Sequence, residues 1–308
     1  MKRLFAVLLT VILLVTPTAA FAKSKAVTLN TKSIVGMSEK KLVQAYGKPA
    51  RKDASEYGFT WYVYNKDYKN FFMAGVRNDK VVAVYTNAAG LKYGSKIKLN
   101  TTRTAARKAL GTPTTMLQNG NTFYMIYNAT QRDFFTVGSN YVIVFYDTLK
   151  GNKTTAILIV PKADENNALL NKPALSSAVQ RAYEKESVDL TNAIRVRNGL
   201  KALKTNADNT ELARLRSKDM VKRNYFSHYT PAPEKKNVFQ IAKSMGVKYT
   251  SMGENIAFGN HNAIFAQESF MNSSGHRSNL LRSKYTKVGS GVAYGGSRYV
   301  LVTNIFSK

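Results

Sequence analysis

The chain has 308 residues, 44% of them apolar, with 46 Lys and Arg against 18 Asp and Glu, a formal charge of +28, and no cysteine. That length allows two domains with a core each. The absence of cysteine excludes disulfides and a thiol nucleophile, and the excess charge points to anionic partners.

Met1-Lys2-Arg3, the apolar run Leu4 to Val15 and the small-x-small pattern Ala20-Phe21-Ala22 predict a secretory signal over residues 1–22. The other reading, a membrane anchor, needs an apolar run of ~20 residues. Removing Lys2 and Arg3 with the signal leaves +26, from +28 less two. Residues 23–165 and 166–308 each carry 22 basic and 9 acidic side chains, so the excess is +13 in each half. Nucleic-acid readers gather charge in a patch or stripe, which is missing here. For an exported chain the nearer polyanions are wall polymers and anionic lipid surfaces, with attraction that weakens in salt. A solvated basic surface that serves solubility alone reads the same way.

Residues 34–160 match themselves in two copies, about 34–92 and 97–160. Val35-Gly36-Met37-Ser38 and a helical pattern to Gly47-Lys48-Pro49 correspond to Leu99-Asn100-Thr101-Thr102 and a helical pattern to Gly111-Thr112-Pro113. Ser38 and Thr102 are expected N-caps, and the glycines end each helix. Trp61-Tyr62-Val63-Tyr64-Asn65 corresponds to Tyr124-Met125-Ile126-Tyr127-Asn128, and Phe71-Phe72-Met73-Ala74-Gly75 to Phe134-Phe135-Thr136-Val137-Gly138. Each copy reads as a helix followed by antiparallel strands, together one α+β domain over 30–160 with a continuous sheet and helices on one face. Its aromatics suit a core or a ligand face, core being the commoner use at strand spacing. It holds no histidine and no catalytic constellation. Its glycine-x-proline helices and Trp-Tyr-x-Tyr strand resemble the CAP-associated N-terminal domain of exported proteins of Gram-positive bacteria.

Residues 161–175, polar and with Pro161 and Pro173, are expected to be a linker that lets the halves reorient. From 176 to 308 the chain reads as a second α+β domain. A helix from Ser176 to about Val196 ends at Asn198-Gly199, a second starts near Asn209, and Val288 to Tyr294 with Tyr299 to Phe306 form a β-hairpin. His228, Glu254 and His276 lie in polar loop settings, Glu254 between Gly253 and Asn255. Two imidazoles and a carboxylate that meet in space can bind a divalent cation, zinc first among them. They can also form a general base with an orienting partner, or simply be satisfied by structural hydrogen bonds.

The ordered series Leu190-x-Asn192-x-x-Arg195, Tyr225-Phe226-Ser227-His228, Gly253-Glu254-Asn255-Ile256, Met271-Asn272-Ser273-Ser274-Gly275-His276-Arg277-Ser278-Asn279 and Val288-Gly289-Ser290-Gly291-Val292 resembles a bacterial CAP (SCP-like) domain, as in cysteine-rich secretory, antigen-five and pathogenesis-related-one proteins. The resemblance implies an α-β-α sandwich whose cleft holds two histidines and up to two glutamates. Carried over, these are His228, Glu254 and His276, with His228 and His276 as metal ligands. Ser273 stands where eukaryotic members place the second glutamate. Glu268, eight residues before His276, either reaches the site or faces solvent from its helix. Asn255, Arg277 and Asn279 are expected to brace the histidine loops from behind. His261 has no evident partner and is left out of the site. Two functions follow: a binding module for anionic envelope components, secreted or wall-associated, or a metal-dependent hydrolase, protease-like or nuclease-like, that activates water in the same cleft.

Overall fold

The computed structural model describes residues 28–119, 121–126, 130–296 and 299–308; the expected export signal, 1–22, lies outside the described residues. In the N-terminal half, α1 (Glu39–Tyr46) and α2 (Arg103–Leu110) are capped alike. The Ser38 hydroxyl accepts from the Lys41 amide and the Thr102 hydroxyl from the Ala105 amide. Gly47 and Gly111 then turn the chain out at φ of +79° and +90°, a conformation that disfavours side chains.

Seven strands follow these helices: β1 (Arg51–Ala54), β2 (Thr60–Tyr64), β3 (Phe72–Arg77), β4 (Lys80–Thr86), β5 (Arg132–Val137), β6 (Asn140–Asp147) and β7 (Lys153–Pro161). They form one antiparallel sheet in the order β5-β6-β7-β4-β3-β2-β1, with Ile159 of β7 opposite Val84 of β4 at the seam. In the second copy the described part of the stretch that matches β2, residues 124–126, lies outside this sheet. Among the described residues its strand Thr122–Met125 pairs only with Met116–Asn119 and keeps Tyr124 and Met125 exposed, while β7 occupies the seam.

Side chains alternate across the sheet. Tyr62, Phe72, Val84, Val144 and Ile157 meet α1 and α2 on one face. Trp61, Met73, Tyr85, Phe145 and Leu158 on the other join a cluster that continues into the C-terminal half. Both faces are covered, so the aromatics of this sheet are core, unlike Phe123 and Tyr124 outside it.

The stretch expected to be a linker is folded instead. α3 (Lys162–Asn166) runs into a π-turn at Asn167–Asn171, with Glu165 and Ala168 buried. Its polar composition misled because Glu165 finds partners inside the protein: Tyr57 donates to its carboxylate at 2.7 Å and His261 lies 3.2 Å away. The halves consequently share one hydrophobic cluster, with Phe134 and Phe145 packed on Phe265 at ring-centroid distances of 6.4 and 5.2 Å.

The C-terminal half contains α4 (Ser177–Arg197), α5 (Ala207–Lys222), α6 (Val238–Ser244), β8 (Met252–Phe258), α7 (Ala263–Met271), α8 (Ser274–Leu280), β9 (Lys287–Tyr294) and β10 (Val300–Ser307). The sheet order is Lys204–Thr205, β9, β10, β8. Helix α5 lies against β9 and β10, while α4, α7 and α8 cover the other side, giving the expected three layers. A Cβ on Gly289 or Gly291 would run into the backbone of α5 at Thr210 or Ala213. These glycines let helix and sheet approach closely enough for α5 side chains to reach β8.

Candidate functional site

The cleft grows from one dipeptide of β8. Successive strand residues point to opposite faces, so Glu254 turns toward α5 and Asn255 toward α8. From α5, Arg216, with no exposed side-chain surface, donates through Nε to Glu254 Oε1 at 2.8 Å. Its other nitrogens donate to the Tyr225 hydroxyl at 2.8 Å and the Ser227 carbonyl at 2.7 Å, fixing the loop that leads to His228. Tyr225 donates onward to Asp219 at 2.6 Å, and burial together with that bond pushes the phenol up to about 12.

The remaining oxygen, Glu254 Oε2, lies 2.6 Å from His228 Nδ1. A carboxylate on Nδ1 favours the tautomer with its proton there and leaves Nε2 as an acceptor. The ring is half exposed, at 53%, and therefore open to a ligand.

His276 stands on α8, its ring edge-on to Phe270 at 5.0 Å between centroids. Burial first, and His228 second, hold its pKa below the usual histidine value, so near neutral pH it is an acceptor. Asn255 donates to the His276 carbonyl at 3.0 Å and accepts from Asn279 at 2.9 Å; Asn279 also donates to the Glu254 carbonyl. Gly253 makes room for this, since a Cβ there would collide with the Tyr285 hydroxyl and Asn279.

The corner between α7 and α8 is held from the other half. Arg277 donates to the Met271 carbonyl and to Asp147 of β6, both at 2.6 Å. Asn272 accepts from the Thr148 amide and hydroxyl at 2.8 and 2.7 Å and donates to the Tyr146 and Glu268 carbonyls at 3.0 Å each.

His228, Ser273 and His276 line one cleft of about 520 Å³, with Phe270, Phe258 and Gln131. Glu268 neither lines it nor faces solvent. It is 2% exposed and accepts from Tyr85 at 2.9 Å and Thr155 at 3.0 Å, both in the N-terminal sheet. Its pKa is raised by burial against the opposing charge of Arg197. His261 is also buried between the halves, with Tyr57 and Glu165. Sequence reading missed Arg216, which looks like one more cation on an amphipathic helix, and Gln131, whose half carries no catalytic motif. The four-residue step from Leu212 to Arg216 on the buried face was the available signal for the first.

For a cation, the arrangement leaves two imidazoles. Both oxygens of Glu254 are engaged, and among the described residues no group of three or more His, Cys, Asp or Glu side chains is placed to hold a metal ion. Catalytic zinc ordinarily has three protein ligands.

With this geometry in hand, comparison with known proteins places the chain. Residues 35–169 match the family model described as CAP-associated N-terminal, and residues 188–306 that of the Cysteine-rich secretory protein family. The chain belongs to that family. It is 30% identical over 278 residues to the uncharacterized membrane protein YlbC of Bacillus subtilis (strain 168), covering 84% of this chain and 80% of YlbC. It is 37% identical over 146 residues to the uncharacterized protein YkwD of the same organism, covering 47% of this chain and 54% of YkwD. Among solved structures it is similar to an extracellular SCP-domain protein of Bacillus anthracis str. Ames, with a TM-score of 0.78 at 22% identity over 92% of this chain and 97% of that one. A cysteine-rich secretory protein of Staphylococcus aureus subsp. aureus Mu50 gives 0.69 at 20% identity over 90% and 94%. At such identities these likenesses establish the fold. Among the described residues no helix is long and apolar enough to cross a membrane.

Proposed function

We propose that this protein is an exported, extracellular or wall-associated binding module that holds anionic components of the envelope, wall polymer or lipid surface. In this reading the His228–Glu254–His276 cleft is a ligand-contacting site, and the duplicated N-terminal half is a non-catalytic support. The observation that carries it is the +26 charge of residues 23–308, +13 in each half. Glu254 supports it too, since each of its oxygens is engaged, by Arg216 and by His228, and its side chain is only 2% exposed, which suits orienting His228 better than meeting water. Retention on purified walls and on anionic vesicles should fall as salt rises from about 0.05 to 0.5 M. Retention indifferent to salt overturns the reading.

The carboxylate-oriented ring of His228 favours a second reading, a metal-dependent hydrolase. His228 and His276 would hold the cation, zinc first, whose contribution is to acidify a bound water. A one-to-one zinc stoichiometry lost in both His228→Ala and His276→Ala supports this reading. Turnover of peptide, wall glycan or nucleic acid unchanged in both variants refutes it.

A further inference from the structure

A second cavity, of about 570 Å³, opens where the two halves meet and shares no lining residue with the histidine cleft. Arg51 of β1 lines it from the N-terminal side, facing Arg181, Lys185, Glu184 and Asp189 of α4 and Arg214 of α5. The two carboxylates are already saturated. Asp189 accepts from Asn65 at 2.7 Å, Tyr68 at 2.9 Å and Arg51 at 2.7 Å. Glu184 accepts from Arg181 at 2.9 Å, Arg214 at 2.7 Å and the Val292 amide at 3.2 Å.

The cations are not used up in the same way. Arg181 engages Glu184 through Nη1, Arg51 its acidic neighbours through Nε and Nη2, and Arg214 through Nε and Nη2, so each guanidinium keeps N–H groups for a further acceptor. Exposure follows the same division. The Glu184 and Asp189 side chains are 5% and 4% exposed, whereas Arg51, Arg181 and Arg214 are 24%, 36% and 37% exposed, and Lys185 is exposed. A ligand entering the cavity therefore meets donors and positive charge. Ser290 gives an independent sign: 1% exposed on the cavity wall, its hydroxyl has no hydrogen-bond partner. Buried hydroxyls are ordinarily satisfied.

We infer that this cavity is a site for a small, multiply charged acid, its carboxylate or phosphate groups bridging the guanidinium groups of the two halves. The site stands apart from the cleft, whether or not the chain is retained on envelope polymer.

The test is calorimetric titration of the full mature chain with citrate and with pyrophosphate, against sodium chloride of matched ionic strength. One equivalent of at least one acid should bind saturably. Lys185→Glu, at an exposed position, should weaken it about tenfold, and Ser290→Ala severalfold. Lys248→Glu, the same charge change on the exposed surface after α6, should bind as the parent does, and so should His228→Ala. Absence of saturable binding, equal weakening by Lys248→Glu, loss in His228→Ala or full binding by Lys185→Glu would each overturn the assignment.

Discussion

Replacing Arg216 by Met tests the reading of the cleft most directly. The substitution keeps much of the volume but removes the charge beside Glu254, whose side chain is 2% exposed, and the donors to Tyr225 and Ser227. Breaking a buried pair from one side costs about 3–5 kcal/mol, because the remaining charge stays buried without its partner. Against a total stability of about 5–15 kcal/mol that is a large fraction. At about 2–4 °C per kcal/mol it lowers Tm by roughly 6–20 °C. Removing both charges, as Arg216→Met with Glu254→Gln, leaves no buried charge without its partner, though the Tyr225 hydroxyl and Ser227 carbonyl still lose a donor, and should recover at least about 1 kcal/mol of that cost. Urea unfolding followed by far-ultraviolet circular dichroism measures both variants. Fluorescence of Trp61, the single tryptophan, buried on the shared side of the N-terminal sheet, shows whether the other half unfolds with them. A cost below about 1 kcal/mol for Arg216→Met, or a double variant as unstable as the single, refutes the reasoning.

Two further substitutions follow from the structure. Gly291→Ala drives a methyl into the α5 backbone and should cost about 1–3 kcal/mol or more; Gly275→Ala, inside α8 with nothing within 4 Å of its Cβ, should gain up to about 1 kcal/mol in the same melts. Glu186, buried at the junction, has its pKa raised well above the usual carboxylate range, chiefly by burial, with Asp53, Glu56 and Asp189 adding to this and Arg51 opposing it. The folded protein then keeps a proton that the unfolded chain releases above about pH 4.3, so stability falls as pH rises from there through the folded value. Glu186→Gln should flatten that decline, and melts from pH 4 to 8 that keep the parent's slope would contradict it.

The parts of this fold that declare themselves in sequence are local. Ser38, Thr102 and Ser176 announce helix starts because a short hydroxyl beside a free amide works wherever the helix goes, and Gly47, Gly111 and Gly199 mark stops for a comparable reason. Glu254 and the histidines were legible through their family setting. Partners supplied from the far half were not. Glu268 suggested a solvent-facing position, but α7 is buried nearly all round and has no water side for it to occupy. Glu165 looked like linker and His261 like loop because their neighbours come from far along the chain: Tyr57, more than a hundred residues from Glu165, donates to its Oε2, and His261 lies 3.2 Å from its Oε1. Arg216 needed both β8 and the Tyr225 loop in place before its three hydrogen bonds had direction.

Asn272 carries a mechanical consequence. Its amide joins the end of β6 to the end of α7 in one knot, with Ser273 next in the chain and His276 one helical turn further. Displacing the N-terminal sheet by even an ångström must stretch this knot or drag the cleft rim along with it. The rim of the cleft that carries His276 is thus tethered through Asn272 to the end of a strand in the other half.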